Sequence, residues 1–205
     1  MKNKKIIITG GCGFIGSFLA ERLYKDNNIY IIDNLSRGSF NNIEKLDCKF
    51  IEIDLCKKTI PKDILKNVDV VFHLASTVGS YKYYTDNSHD VLKVNTKIDW
   101  NVFESIEKAK VRKLFYASSS HVYPKELQLD INSAALKEED AYPANPSLSY
   151  GWGKLTSERY LTNCKTKFRV AIARYNGIYG PRQSTDLNKG SIIPVLIKRA
   201  NEFPK

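Results

Sequence analysis

A glycine-rich turn caught between an apolar run and a helical pattern sets the tightest limit on this chain. Residues 4–9 read K-K-I-I-I-T, which suits a buried strand, and G-G-C-G-F-I-G follows with Gly10, Gly13 and Gly16 in step. The spacing from Phe14 to Asp26 predicts a helix, and a second short run, Asn28 to Ile32, ends at Asp33. In such a βαβ opening the first glycine permits the tight turn. The second lets a pyrophosphate approach the backbone, and the third lets helix pack against strand. The helix N-terminus then turns unpaired N–H groups toward phosphate. A glycine turn that merely joins strand to helix looks similar in isolation, so the terminal acid matters. A carboxylate where an adenosine ribose would lie accepts its hydroxyls and repels a 2′-phosphate, and the expected cofactor is NAD. The other reading of Asp33 is a turn former in D-N-L-S-R-G, and Arg37 keeps NADP use open.

The same alternation continues down the chain. Residues 48–53, 68–73, 113–118 and 168–174 read as further strands. Helices are expected at Val91–Lys108, from Tyr150 to Cys164, and from Ile192 to Ala200. That rhythm predicts an α/β fold: a doubly wound, mostly parallel sheet with right-handed crossovers and helices on both faces. Between Tyr123 and Ser149 lies a weakly patterned stretch carrying Pro124, Pro143 and Pro146, and loops of that length are usually functional or mobile.

Composition narrows the class. A chain of 205 residues suits one domain of ordinary α/β size. No apolar run approaches the roughly 18 residues a membrane span needs. M-K-N-K-K leads straight into a strand too short for a secretory h-region, so a cytoplasmic protein is expected. Cys12, Cys48, Cys56 and Cys164 are scattered without metal-ligand spacing, which predicts free thiols and no metal. The net charge of +10 invites a nucleic-acid reading. The lysines are dispersed and no nucleic-acid motif accompanies them, so a solvated surface is the expectation.

Chemistry concentrates later in the chain. Y-G-W-G-K puts the phenol of Tyr150 and the ammonium of Lys154 four residues apart, on one helix face. A phenol with a pKa near 10 is a poor base at neutral pH, and a neighbouring ammonium favours its ionised form. The run Ser118–Ser120 ends a strand and supplies a hydroxyl to orient a substrate oxygen. His121 follows at once; imidazole exchanges protons near neutrality, and the competing role is support for the proline-containing loop. His73 reads as structural, His89 as a weaker sugar or phosphate candidate, and Asp54 as either an adenine contact or a turn residue.

In order, T-G-G-C-G-F-I-G, D-N-L-S-R-G, H-L-A-S, Y-A-S-S-S-H-V-Y-P, Y-G-W-G-K and R-Y-N-G-I-Y-G-P-R resemble the extended short-chain dehydrogenase/reductase family, in its nucleotide-sugar epimerase and dehydratase group. The resemblance implies a Rossmann-like NAD domain and a nucleotide-sugar substrate. It makes Ser119 the hydroxyl of a serine–tyrosine–lysine set, with Lys154 also on the nicotinamide ribose. Asn95 would support the active-site backbone. Gly10, Gly13, Phe14, Ile15, Gly16, Asp33, Asn34, Asp54, Leu55, Leu74 and Ala75 would meet the cofactor beside Tyr150 and Lys154. Gly79, Ser119 and Asn176 would meet the substrate.

F-Y-A-S-S-S-H-V-Y-P-K-E and L-K-E-E-D-A-Y-P-A-N-P resemble the group's GDP-hexose epimerases most, which exchange protons beside a transient C4 ketone through a cysteine and a lysine. Here His121 stands at the cysteine position, and Lys189 is the candidate for the lysine. A UDP-glucose 4-epimerase-like enzyme, a dehydratase or reductase, and an NAD-binding chain without turnover are the alternatives. A homodimer built on the two long helices is implied, with Val102 and Ile106 serving either that interface or the sheet. Residues 1–205 would form the cofactor domain, with 175–205 opening the substrate site. Family members continue for about another hundred residues, so a C-terminal substrate domain is expected to be missing here.

Overall fold

Ile6, Ile7 and Ile8 are all fully buried in β1 (Lys5–Thr9). Successive strand side chains point to opposite faces, so three such residues in a row require cover on both sides of the sheet. The computed structural model, which describes residues 1–129, 134–163, 168–186 and 190–203, supplies it. Six parallel strands run in the order β3 (Lys49–Glu52), β2 (Asn28–Asp33), β1, β4 (Val70–His73), β5 (Lys113–Ser119), β6 (Arg169–Tyr175). Ile7 packs with Ile32, Val71 and Leu114 beneath α4 (Ser88–Lys108) and α5 (Ser149–Asn163), with the short α2 (Lys62–Leu65) at the margin. Ile6 and Ile8 pack with Ile29, Ile31 and Val70 beneath α1 (Phe14–Leu23). This is the expected doubly wound, Rossmann-like α/β sheet.

The strand order turns back between β1 and β4, which opens a crevice at their C-terminal ends. Register then decides which side chains meet there. Thr9 pairs with His73, and His73 with Tyr116, so the three lie in one row across β1, β4 and β5.

Several boundaries differ from the sequence expectation for physical reasons. α4 starts three residues early, because its first turn (Ser88, His89, Asp90) is polar and leaves no apolar signal. A six-residue helix, α3 (Tyr81–Asp86), precedes it where no helical period is visible. β5 extends to Ser119, and β6 runs from Arg169 to Tyr175, one residue beyond Arg174. The long loop is anchored at both ends: Val122, Tyr123 and Ala141 are buried with Leu155 of α5. Val102 and Ile106 are wholly buried in the sheet-facing core, which resolves their two readings in favour of the sheet. Cys12, Cys48 and Cys56 are free thiols, and Cys164 lies outside the described residues. Among the described residues no helix is long and apolar enough to cross a membrane. α6 (Ile192–Glu202) closes the described chain.

Candidate active site

The glycine turn shows why each of its glycines is needed. Gly10 has φ +69°, and a Cβ there would stand 2.8 Å from the Ala75 backbone nitrogen, so β1 and β4 leave no room for a side chain. A Cβ on Gly16 would collide with the Gly10 carbonyl, which is the close helix–strand approach expected of it. Gly13 differs: its added Cβ would meet only the Gly10 oxygen, at 3.2 Å, and otherwise faces open space. α1 begins immediately after Gly13 without a side-chain cap. Its first N–H groups therefore remain available to an anion.

Asp33 ends β2 beside this turn and is 8% exposed. Oδ2 accepts from the Cys12 N–H at 3.0 Å and Oδ1 from the Leu35 N–H at 2.8 Å. The turn-forming reading of this residue is seen directly, and its carboxylate, with lone pairs to spare, also lines the cleft. Asp54 also lines the cleft while accepting from the Cys56 N–H at 3.0 Å. A cradle open at Gly13, an uncapped helix start and a carboxylate at the neighbouring strand end suit a dinucleotide.

The reactive half lies in the same cleft of about 600 Å³, lined by Ser119, His121, Tyr150 and Lys154. Ser119 Oγ and His121 Nδ1 are 3.0 Å apart, and the Ser119 hydroxyl also accepts from the His121 N–H at 3.2 Å. The His121 and Tyr150 rings meet edge to face at 5.7 Å. Burial pushes the Tyr150 phenol up to about 12 and the Asp99 carboxylate adds to the rise, while the hydroxyls of Ser76, Tyr84 and Ser119 act the other way. Burial lowers the His121 pKa, which favours neutral imidazole. It lowers the Lys154 pKa as well, while the carboxylates of Asp99 and Glu158 act to keep that ammonium charged. Lys154 Nζ sits 4.7 Å from the Tyr116 ring centroid and 5.9 Å from that of Tyr150.

Beneath Lys154 runs a polar chain that sequence reading missed apart from His73. Thr9 Oγ1 accepts from the Leu74 and Ala75 N–H groups, both at 3.2 Å, and lies 2.7 Å from His73 Nδ1. With its lone pairs so engaged, the threonine donates its own proton to Nδ1. His73 is then protonated on Nε2 and donates to Asp99 Oδ1 at 3.0 Å. Tyr116 and Ser157 donate to Asp99 Oδ2 at 2.5 and 2.6 Å. These donors and the Lys154 charge hold the fully buried Asp99 below the usual carboxylate range, although burial acts against them. The backbone at the end of β4 is thereby tied, through Asp99 of α4 and Ser157, to α5, which carries Tyr150 and Lys154.

The structure brings nearly all the expected site residues into one cleft. Phe14, Ile15, Asn34, Leu55, Leu74, Ala75 and Gly79 line it with those already described. So does Asn176, whose Oδ1 accepts from Ser120 Oγ at 3.3 Å. Asn95 holds the backbone beside it, accepting from the Thr77 N–H at 2.6 Å and donating to the Thr77 carbonyl at 3.0 Å. His89 is exposed at the start of α4, away from the lining. Lys189 lies outside the described residues. The reading also missed Tyr84 and Arg182. Arg182 reaches Ser17 and Glu21 of α1 at 3.2 and 2.8 Å and folds the segment after β6 over the glycine turn. The G-P-R motif was its signal.

Known proteins match this chain over nearly its whole length. Residues 6–204 match the model of the NAD dependent epimerase/dehydratase family. GDP-mannose 3,5-epimerase of Arabidopsis thaliana is 34% identical over 183 residues, which is 88% of this chain and 48% of that protein. Among solved structures, UDP-N-acetylglucosamine 4-epimerase from Methanobrevibacter ruminantium M1, in complex with UDP-N-acetylmuramic acid, aligns with a TM-score of 0.85 at 29% identity. That alignment covers 98% of this chain and 64% of the other. The UDP-glucose 4-epimerase of Thermus thermophilus, in complex with NAD, aligns at 0.74 with 25% identity, covering 96% and 61%. The chain spans about half the length of the GDP-mannose 3,5-epimerase it matches. With glycine turn, terminal acid and serine–tyrosine–lysine set in one cleft, the chain belongs to the NAD dependent epimerase/dehydratase family.

Proposed function

We propose that residues 1–205 form the NAD-binding part of a nucleotide-sugar epimerase acting on a GDP-hexose, with residues 175–205 opening its substrate site. The observation that supports this most is the convergence of Ser119, His121 and Tyr150, in hydrogen-bond or ring contact, within the cleft that also holds Gly13 and Asp33. The identity with a GDP-mannose 3,5-epimerase supports the choice of nucleotide.

NAD, when bound, supplies the hydride acceptor and a positive ring. Tyr150 takes the C4 hydroxyl proton as its phenolate, and Ser119 holds that oxygen. Lys154 favours the phenolate electrostatically and would hold the nicotinamide ribose. Oxidation at C4 acidifies the C–H bonds of neighbouring carbons. His121, whose neutral form burial favours, is then the base or, once protonated, the acid at one of them. Lys189 is assigned the opposite face of the sugar, and Gly79 and Asn176 its binding. A homodimer is proposed across α4 and α5, whose Leu92, Trp100 and Trp152 are exposed, and sedimentation as a monomer would count against it.

One observation favours a second reading. His121 Nδ1 is already engaged by Ser119 within a short turn, as a loop-supporting residue would be. A 4-epimerase needs only Ser119, Tyr150 and Lys154. The test is to present GDP-, UDP-, CDP- and dTDP-hexoses to the NAD-loaded protein and follow the absorbance of reduced nicotinamide. A transient signal with a GDP-hexose, lost in Tyr150→Phe, is the expected result. A response to UDP-hexoses alone favours 4-epimerisation. NAD binding without any response would leave a cofactor-binding chain without turnover.

A further inference from the structure

A second buried phenol lies against Tyr150. Tyr84 sits on α3, whose start is fixed by Ser80 accepting from the Tyr83 N–H at 3.1 Å. It is 6% exposed and lines the cleft. Its ring stacks on that of Tyr150 with centroids 4.7 Å apart and planes 16° from parallel, and it meets His121 edge-on at 5.8 Å. Across that stack the Tyr84 hydroxyl acts to lower the Tyr150 pKa and is itself raised by Tyr150, the sense of a Tyr84 O–H turned to the Tyr150 oxygen, and the Gly79 amide acts to lower Tyr84. The Gly79 amide can only donate, so it occupies a lone pair of the Tyr84 oxygen and directs the Tyr84 proton toward Tyr150. Donation to an oxyanion is roughly twice as strong as donation to a neutral oxygen, so the contact favours phenolate over phenol. Packing alone does not explain the hydroxyl: a phenylalanine would fill the same place among Val91, Leu148 and Tyr150.

We propose that Tyr84 is a positioning residue for proton transfer: its ring sets the plane of Tyr150, and its hydroxyl, oriented by Gly79, donates a hydrogen bond to the Tyr150 phenolate. This rests on the reading of Tyr150 as the base. The charged and titratable groups facing the pair are Asp99 from α4, Lys154 from α5, Tyr116 from β5, His121 after β5 and Arg37 after β2, and all remain when only the Tyr84 hydroxyl is removed.

The experiment titrates the full chain, isotope-labelled at tyrosine Cζ and saturated with NAD, by NMR without any sugar; the Tyr150 signal is assigned by its loss in Tyr150→Phe. In Tyr84→Phe the midpoint for Tyr150 ionisation should rise by about one pH unit or more, as expected for one lost hydrogen bond to a charged group, with NAD affinity retained. Tyr83→Phe should leave the midpoint unchanged, because that ring touches Tyr84 and not Tyr150. In the unmodified protein the Gly79 amide signal should move with the same midpoint, a readout that needs no variant to fold. An unchanged or lowered midpoint in Tyr84→Phe, or a Gly79 amide indifferent to Tyr150 ionisation, overturns the proposal. The titration involves no turnover, so failure to act on any sugar would remove the functional reading and leave this one testable.

Discussion

Replacing Asp33 by alanine separates the two tasks that its carboxylate performs. In the structure Oδ2 holds the Cys12 N–H inside the glycine turn and Oδ1 holds the Leu35 N–H nearer the surface. Leu35 can turn to water, whereas the buried Cys12 donor is left unpaired, at about 1–3 kcal/mol of stability. The cofactor loses an acceptor for its ribose hydroxyls. One hydrogen bond to a charged group contributes about 1.5–3 kcal/mol, so NAD should bind about ten- to 150-fold more weakly. NADP should lose less, because the charge that repels its 2′-phosphate goes at the same time. Titration calorimetry with both cofactors reads the difference, and a thermal melt confirms that the variant is folded. Equal losses for NAD and NADP, which leave the preference unchanged, would show that only the turn was distorted and would refute the assignment of Asp33.

Tyr150→Phe should cut sugar oxidation by about a hundred- to ten-thousand-fold while NAD still binds, as stopped-flow and calorimetry would show. Asp99→Asn removes a charge that raises the pKa of both Lys154 and Tyr150, so the whole pH–rate profile should move to lower pH; an unmoved profile would make Asp99 purely structural. His73 has its pKa lowered by burial, so the unfolded chain binds the extra proton. Its contribution is complete above the ordinary value of 6.5 and is lost as pH falls below it, and His73→Asn should flatten that part of the acid limb in melts against pH. Arg174→Ala leaves the buried Glu158, now bonded by Arg174 Nη2 at 2.7 Å, without its cation and should cost about 3–5 kcal/mol in denaturant melts. Arg174→Met with Glu158→Gln should recover part of that loss.

What could be read beforehand was what depends on short-range order. The glycine turn, the acid one strand later and the four-residue step from Tyr150 to Lys154 each carry their geometry within a few neighbours, and the parallel sheet then delivers them to one edge. Tyr84 was illegible because T-V-G-S-Y-K-Y-Y-T-D has no apolar period, and its contact with Tyr150 spans more than sixty positions. Asp99 was illegible for another reason. A carboxylate within a helical pattern suggests a wet face, and only the register of Thr9, His73 and Tyr116, with Ser157 from α5, explains its complete burial. The Val102 and Ile106 ambiguity had the same origin, since one helix stripe cannot say whether it meets a sheet or a partner.

Position-resolved solvent exchange tests the central claim most directly. The NAD-loaded protein is incubated with GDP-mannose in deuterated water, and the recovered sugar nucleotide is analysed by NMR. Proton exchange beside a transient C4 ketone predicts deuterium at C3 or C5 in the parent, its suppression in His121→Ala with C4 oxidation retained, and none in Tyr150→Phe. A sugar inverted at C4 with no deuterium at C3 or C5, or exchange at the parental rate in His121→Ala, would contradict the assignment of His121 as the group that moves the ring proton.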